Sequence, residues 1–118
     1  MIYDEGMSKR ELREYLTEVV EYNEKLKCEV KRLEDLRDDI LYNYHSIYRV
    51  EEMSDIVDNI EDICMKVKRL INKKTMLEVK IRALIDSYDI DKIDRYGREI
   101  QQLEDYIYEL IKDRWRVC

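Results

Sequence analysis

The chain has 118 residues, with no proline, two glycines and 42% charged residues, and its formal net charge is −6. A sheet protein needs turn residues for its hairpins, so this composition argues against β structure and favours long helices in one domain. The acidic balance disfavours general nucleic-acid binding, because contacts to phosphates need a basic face.

We expect a soluble, cytoplasmic protein. The first residues contain no apolar run of the kind that a signal peptide needs. No segment approaches the ~18 consecutive apolar residues of a membrane span. Three cysteines, Cys28, Cys64 and Cys118, are too few and too scattered for a disulfide framework or a zinc site, which fits a reducing compartment.

The first helix is predicted from about residue 9 to residue 45, after a short lead-in. Ser8 and Glu11 have the spacing of a capping box, and Met7 and Leu12 are placed for the accompanying hydrophobic staple. Steps of four and three predict that one stripe of this helix packs on another helix. The stripe is Leu12, Leu16, Val19, Asn23, Leu26, Val30, Leu33, Arg37, Ile40, Tyr44 and Ile47. Its polar members, Asn23 and Arg37, either fix the register or contact a partner.

The second helix is predicted from about residue 54 to residue 88. The pattern breaks between His45 and Met53, and Ser54 with Asp55 can begin a new helix. The stripe is Ile56, Ile60, Ile63, Val67, Leu70, Lys74, Leu77, Ile81, Leu84 and Tyr88, and Lys74 is its one polar residue. Further apolar residues widen the stripe on one side, which indicates a middle helix that touches two neighbours.

The third helix is predicted from about residue 91 to residue 115, with Asp89 or Asp91 as its cap. Gly97 within it costs about 1 kcal/mol relative to alanine and allows close backbone approach. Short connections make sequential helices antiparallel neighbours. The predicted fold is therefore an all-α, elongated antiparallel three-helix bundle or coiled coil, with the third helix beside the first. In the alternative, the second and third helices are nearly continuous and two chains pair.

Charges are unevenly distributed along the second helix. In a hairpin, its acidic start meets the acidic end of the first helix, with Arg37 and Arg49 as the only bases there. The acids proposed to bind a partner are Glu34, Asp35, Asp38, Asp39, Asp55, Asp58 and Asp62. A basic run follows that could contact phosphates: Lys66, Lys68, Arg69, Lys73 and Lys74. Two interpretations remain open, neutralisation within the fold and an acidic surface that binds a basic groove on another protein.

Motifs of catalysis, metal binding and cofactor binding are not found in the sequence. No glycine-rich loop follows a strand, and no base partner is evident for a cysteine nucleophile. The one histidine, His45, could bind a metal with Glu51 or Glu52, but a lone histidine in a connection is usually solvated or capping. Trp115 could belong to a partner-facing patch, because tryptophan is favoured at interaction hot spots, or it could pack at the rim of the last helix.

The order of features from about Ser8 to Ser87 resembles a family of small phage-encoded proteins of unknown function from Gram-positive hosts. The similar segments are ELREYLTEVVEYNEKLKCEVKRLEDLRDDI and MSDIVDNIEDICMKVKRLINKKTMLEVKIRALIDS. That family continues into a helix-turn-helix, whereas IDRYGREIQQLEDYIYELIKDRWRVC is typical of one amphipathic helix. The resemblance therefore implies an origin in a phage or other mobile element and does not imply DNA reading.

From the sequence we expect a non-enzymatic helical module that binds a host protein with a basic surface. A phage-encoded inhibitor of a host factor, such as a defence nuclease, fits this description by analogy with small acidic proteins of mobile elements. One alternative is a transcription-associated regulator that contacts DNA through the basic run. Another is a structural coiled coil whose partner is a second copy of itself.

Overall fold

A computed structural model describes residues 2–44 and 50–112, with side chains placed for residues 2–42 and 57–112. It contains three helices, α1 (Lys9–Tyr44), α2 (Val50–Ile85) and α3 (Ile90–Ile111), and no strand among these residues. The molecule is a rod of 61 × 19 × 17 Å. The prediction of an all-α, elongated three-helix bundle is confirmed.

Helix α2 is the middle helix, because it packs against both α1 and α3. Contacts between the helices show that each sequential pair runs antiparallel. These contacts join Lys9 with Asp86 and Arg37 with Glu61 between α1 and α2, and Lys74 with Glu104 and Lys80 with Tyr96 between α2 and α3. Among the described residues, α1 and α3 lie farther from each other than either lies from α2, and a groove separates them.

The start of α1 follows the predicted capping box. The amide of Ser8 donates to the Glu11 carboxylate and the amide of Glu11 donates to the Ser8 hydroxyl, each at 3.2 Å. Met7 and Leu12, the predicted staple, are both buried in the same apolar cluster. Two free backbone donors and one apolar pair therefore fix where this helix begins.

The boundaries of α2 differ from the prediction at both ends. It begins at Val50 and not at Ser54, so the turn before Ser54, which the prediction placed in the connection, is helical. Glu51 and Glu52 are good helix formers and their charge is favourable in a first turn. The helix ends at Ile85, and Tyr88 takes a left-handed conformation with φ 52°.

That turn separates α2 from α3 and excludes the alternative in which the two helices are continuous. Asp89 is the N-cap of α3 and accepts a hydrogen bond from the amide of Lys92 at 3.5 Å. It is one of the two caps that the sequence offered. The predicted end of the third helix at residue 115 lies outside the described residues, and α3 ends at Ile111 within them.

Two apolar clusters fill the bundle, one at each end. The cluster at the start of α1 contains Tyr3, Met7, Leu12, Tyr15, Leu16, Val19, Leu77, Ile81, Ile85, Ile93 and Ile100. The other contains Leu26, Val30, Leu33, Ile63, Cys64, Val67, Leu70, Ile71, Ile107 and Ile111. Eleven of these 21 residues belong to the stripes predicted for the first two helices, so the steps of four and three identified about half of the core.

The lead-in before α1 docks on α3, which the sequence did not indicate. The Tyr3 ring lies against Gly97, where an added Cβ would overlap it, and meets the Tyr15 ring edge-on with centroids 5.3 Å apart. The Tyr3 hydroxyl donates to Asp94 at 2.5 Å, and its amide donates to Gln101 at 3.1 Å. The close approach expected at Gly97 is thus confirmed, with an aromatic ring as the neighbour.

Candidate functional site

The hairpin of α1 and α2 brings the predicted acidic residues of the two helices to the same end of the molecule. Arg37 of α1 reaches Glu61 of α2 at 3.6 Å, which places the two acidic segments side by side. We call this surface the acidic end; its members are Glu34, Asp35, Asp38, Asp39, Asp58, Glu61 and Asp62. Asp55 lies in α2, but its side chain is outside the described residues, and so is all of Trp115.

Ion pairs within the fold partly neutralise the acidic end. Two pairs join the neighbouring helices, Glu34 with Lys68 at 2.9 Å and Glu61 with Arg37 at 3.6 Å, while the other pairs lie within one helix. Those pairs are Asp35 with Lys31 at 3.6 Å, Asp38 with Arg37 at 3.0 Å and Asp62 with Lys66 at 3.0 Å. The side chains of Asp35 and Asp38 are each 64% exposed and that of Asp62 is 60% exposed. Because exposed pairs contribute only about 0–1 kcal/mol, an incoming base can replace the cation in each.

The basic run does not form one surface. Lys74 is completely buried, so its assignment as a phosphate contact is wrong: its position in the α2 stripe directs it into the bundle. Lys66 and Lys68 point outward but pair with acids of the acidic end. Arg69 and Lys73 are exposed. Neutralisation within the fold therefore accounts for part of the charge pattern, and burial accounts for Lys74.

Lys74 lies beneath the groove between α1 and α3, in contact with both helices. Its Nζ is 3.2 Å from a Glu104 carboxylate oxygen on α3 and 4.7 Å from the centroid of the Tyr22 ring on α1. Nζ and the Glu104 oxygen form an ion pair, but Nζ makes no hydrogen bond of normal geometry. Burial lowers the Lys74 pKa, and the Glu104 carboxylate opposes that shift. The ammonium is thus held by one carboxylate and one ring.

The groove itself has a volume of about 490 Å³ and mixes acidic with aromatic side chains. Tyr15, Tyr22 and Tyr108 line it, together with Glu21 and Asp105. The Tyr15 hydroxyl is buried without a hydrogen-bond partner among the described residues, and burial raises the Tyr15 pKa. No sequence pattern pointed to this groove, because its walls come from helices that are not neighbours in the chain.

The outer face of α2, opposite the stripe that packs against α1 and α3, carries large apolar side chains in contact with solvent. Met65 is 60% exposed, Met76 is 62% exposed and Val79 is 57% exposed. This face was not predicted from the sequence, because the stripe that forms the core is the more apolar of the two. A second stripe with the same steps of four and three, running through residues 65, 69, 72, 76, 79 and 83, was the available signal.

Among the described residues, no group of three or more histidine, cysteine or acidic side chains could hold a metal ion. The metal site considered at His45, Glu51 and Glu52 lies outside the described side chains.

Within the described part of the chain, no helix has both the length and the apolar character to cross a membrane. Comparison of the chain with protein-family models, with curated proteins and with solved structures gave no match.

Proposed function

We propose that this protein is a non-enzymatic protein-binding module whose acidic end binds a basic surface of another protein. The observation that carries the proposal is the concentration of charge in one segment. Residues 34–62 contain the acids Glu34, Asp35, Asp38, Asp39, Glu51, Glu52, Asp55, Asp58, Glu61 and Asp62 against Arg37 and Arg49. The excess of acids in this segment is larger than the net charge of −6 of the whole chain.

The geometry supports this proposal in two ways. First, the antiparallel hairpin stacks the acidic turns of α1 and α2 side by side, so their fields add at one end of a rod 61 Å long. Second, the cations that pair with Asp35 and Asp62 are exposed lysines on the same helix. The guanidinium group of a partner's arginine binds a carboxylate with two hydrogen bonds, whereas a lysine offers only a point charge. Replacement of these lysines by a partner's arginine is therefore favourable.

The partner class that fits is a protein with a basic groove, including proteins whose groove otherwise receives nucleic acid. A rod 17–19 Å wide with carboxylates along its end presents negative charge at a width similar to that of a nucleic-acid helix. The resemblance to phage-encoded helical proteins implies that the partner is a protein of the host, such as a defence nuclease. Electrostatic attraction of this kind increases the association rate and depends strongly on salt.

The test uses charge reversal at exposed carboxylates. The variant Asp35→Lys/Asp58→Lys/Asp62→Lys changes the acidic end, and Glu24→Lys/Asp86→Lys/Glu109→Lys makes the same change of charge elsewhere. A tagged chain captures partners from a nuclease-treated bacterial lysate at low salt, and the retained protein is then purified and titrated directly. We expect the acidic-end variant to lose at least about tenfold in affinity and the control less than about threefold.

Equal losses in the two variants would show that overall charge, and not the acidic end, drives the association. Unchanged affinity in the acidic-end variant would remove this surface as the binding site. Circular dichroism of both variants establishes that helicity is retained, since every substituted side chain is exposed.

A further inference from the structure

The exposed stripe on α2 has the pattern of a coiled-coil seam that no helix of this chain covers. Its positions are Met65, Arg69, Asn72, Met76, Val79 and Ala83, separated by four, three, four, three and four residues. All six are exposed, whereas the opposite stripe of α2 is buried against α1 and α3. Alternating steps of four and three direct side chains along a line that faces a packed neighbour. We call this line the outer seam.

Five of the six positions that flank the outer seam carry basic residues, and the positions on each side are seven residues apart. Lys66, Lys73 and Lys80 lie along the side towards α3, and Lys68, Thr75 and Arg82 lie along the side towards α1. In a coiled coil, residues beside the seam pair with charges of the facing helix and decide which partner is accepted. No acidic residue occupies either flank, so these positions select a partner with acids there.

Three cations at the outer seam have no carboxylate partner among the described residues. No described carboxylate lies within ion-pair distance of Arg69 or Lys73, and Lys80 is placed over the Tyr96 ring at 5.4 Å. Lys66, Lys68 and Arg82, by contrast, are each paired within the fold. The cations left without a carboxylate partner thus cluster on the same face as the exposed methionines.

A recess beside the outer seam adds room for a partner's side chain. It lies between α2 and α3, has a volume of about 390 Å³, and is lined by Lys73, Met76, Lys80 and Tyr106 among others. Tyr106 is 51% exposed, and methionine side chains adapt to irregular partners.

We propose that the outer seam docks an acidic amphipathic helix of a partner protein as a fourth helix of the bundle. From Met65 to Ala83 the seam is about 27 Å long, which matches a partner helix of about five turns. Two copies of this chain would place like charges opposite each other along the seam, which disfavours self-association through it. Phosphates would meet the lysines but leave Met65, Met76 and Val79 uncovered, so the apolar line points to a helix and not to nucleic acid.

The probe is a pair of 21-residue helical peptides, one for a parallel and one for an antiparallel alignment. Each has leucine at the seam positions, except for asparagine facing Asn72 and glutamate facing Arg69, and glutamate at every flanking position. Matched peptides carry lysine at the flanking positions. Labelled peptide is titrated with the full chain at about 0.15 M salt, where weak general attraction is screened.

We expect one of the glutamate peptides to bind, and the lysine peptides to bind at least about tenfold more weakly. The variants Met76→Asp and Lys73→Glu/Lys80→Glu should each weaken binding at least about tenfold. The control Lys27→Glu/Lys31→Glu, which makes the same change of charge on α1, should weaken it less than about threefold.

Four results would overturn the proposal. These are absence of binding by both glutamate peptides at about 100 µM, equal losses in the seam and control variants, displacement of the bound peptide by a 21-base-pair DNA duplex, and dimerisation of the chain that Met76→Asp abolishes. The last two would reassign the seam to nucleic acid and to a second copy, respectively.

Discussion

Replacing Glu104 with glutamine should destabilise the fold much more than replacing its partner Lys74. Glu104→Gln leaves the completely buried Lys74 ammonium next to a neutral amide, with the Tyr22 ring as its remaining neighbour. At 3.2 Å, with an effective dielectric constant of about 20, two unit charges attract by about 5 kcal/mol. Glu104 keeps 16% of its side chain exposed, which lowers that figure, and we expect a loss of about 3 kcal/mol in the free energy of unfolding.

Lys74→Met, in contrast, removes the buried charge and keeps most of the packing volume. Glu104 then lacks its cation but can be hydrated from the groove, so we expect a loss of about 1 kcal/mol or less. The double variant Lys74→Met/Glu104→Gln should be more stable than Glu104→Gln alone, because the charge that the single change leaves unpaired is no longer present. Asp62→Asn, at the exposed pair with Lys66, serves as the control and should cost less than about 0.5 kcal/mol.

The assay is urea denaturation followed by helical circular dichroism at pH 7 and at pH 9. Burial lowers the folded-state pKa of Lys74 below 10.5, so the unfolded chain binds the proton more tightly and stability rises as the pH increases from the lowered pKa to 10.5. The rise should be steeper in Glu104→Gln, where the opposing carboxylate charge is lost. The buried tyrosines have raised pKa values and reduce stability only above about pH 10, outside this range.

A Glu104→Gln variant whose free energy of unfolding stayed within about 1 kcal/mol of the wild type would show that the buried Lys74 ammonium does not need the Glu104 charge. A double variant no more stable than Glu104→Gln would show that the buried ammonium is not the source of the loss.

Two further predictions concern packing at the ends of the bundle. Gly97→Ala should cost about 1–3 kcal/mol in urea denaturation because the new methyl group overlaps the Tyr3 ring. In a Tyr3→Ala background the same change should instead stabilise the fold by up to about 1 kcal/mol, because alanine is the better helix former, and an undiminished cost there would contradict the explanation. In a Cys118→Ser background, a thiol reagent should modify the exposed Cys28 at least about 100-fold faster than Cys64, whose pKa burial raises. Equal labelling rates, read by mass spectrometry of the peptides, would show that Cys64 is accessible.

The core could be predicted from the sequence because each helix repeats its apolar residues over many turns. Leu12, Leu26, Val67 and Ile81 are recognisable from spacing alone, and all are buried as the spacing implies. Lys74 is less predictable, because it belongs both to the apolar stripe and to the basic run. The spacing of Lys74 predicts burial, whereas its charge predicts a position on the surface. The partner that permits its burial, Glu104, is in another helix. No local pattern can reveal such a pair.

Helix ends and the lead-in were less predictable for a different reason. Ser8 and Asp89 could be recognised because a cap acts on amides a few residues away. The start of α2 at Val50 has no such signal in the sequence, and the position of Tyr3 depends on a gap over Gly97 that exists only once α3 is packed. The acidic end was correctly assembled from the hairpin, while the outer seam was missed because one stripe per helix was sought.

The contacts of Tyr3 have a consequence for the order in which the chain folds. The α1–α2 and α2–α3 pairs join helices that follow each other in sequence, so each can form as a local hairpin with low contact order. The hydrogen bond from Tyr3 to Asp94 spans 91 residues and requires both hairpins to be in place. The contacts between Tyr3 and α3 should therefore form last in refolding and break first under mild denaturant. Amide exchange at Tyr3 and Gly6 should be faster than in the helices while the bundle stays intact.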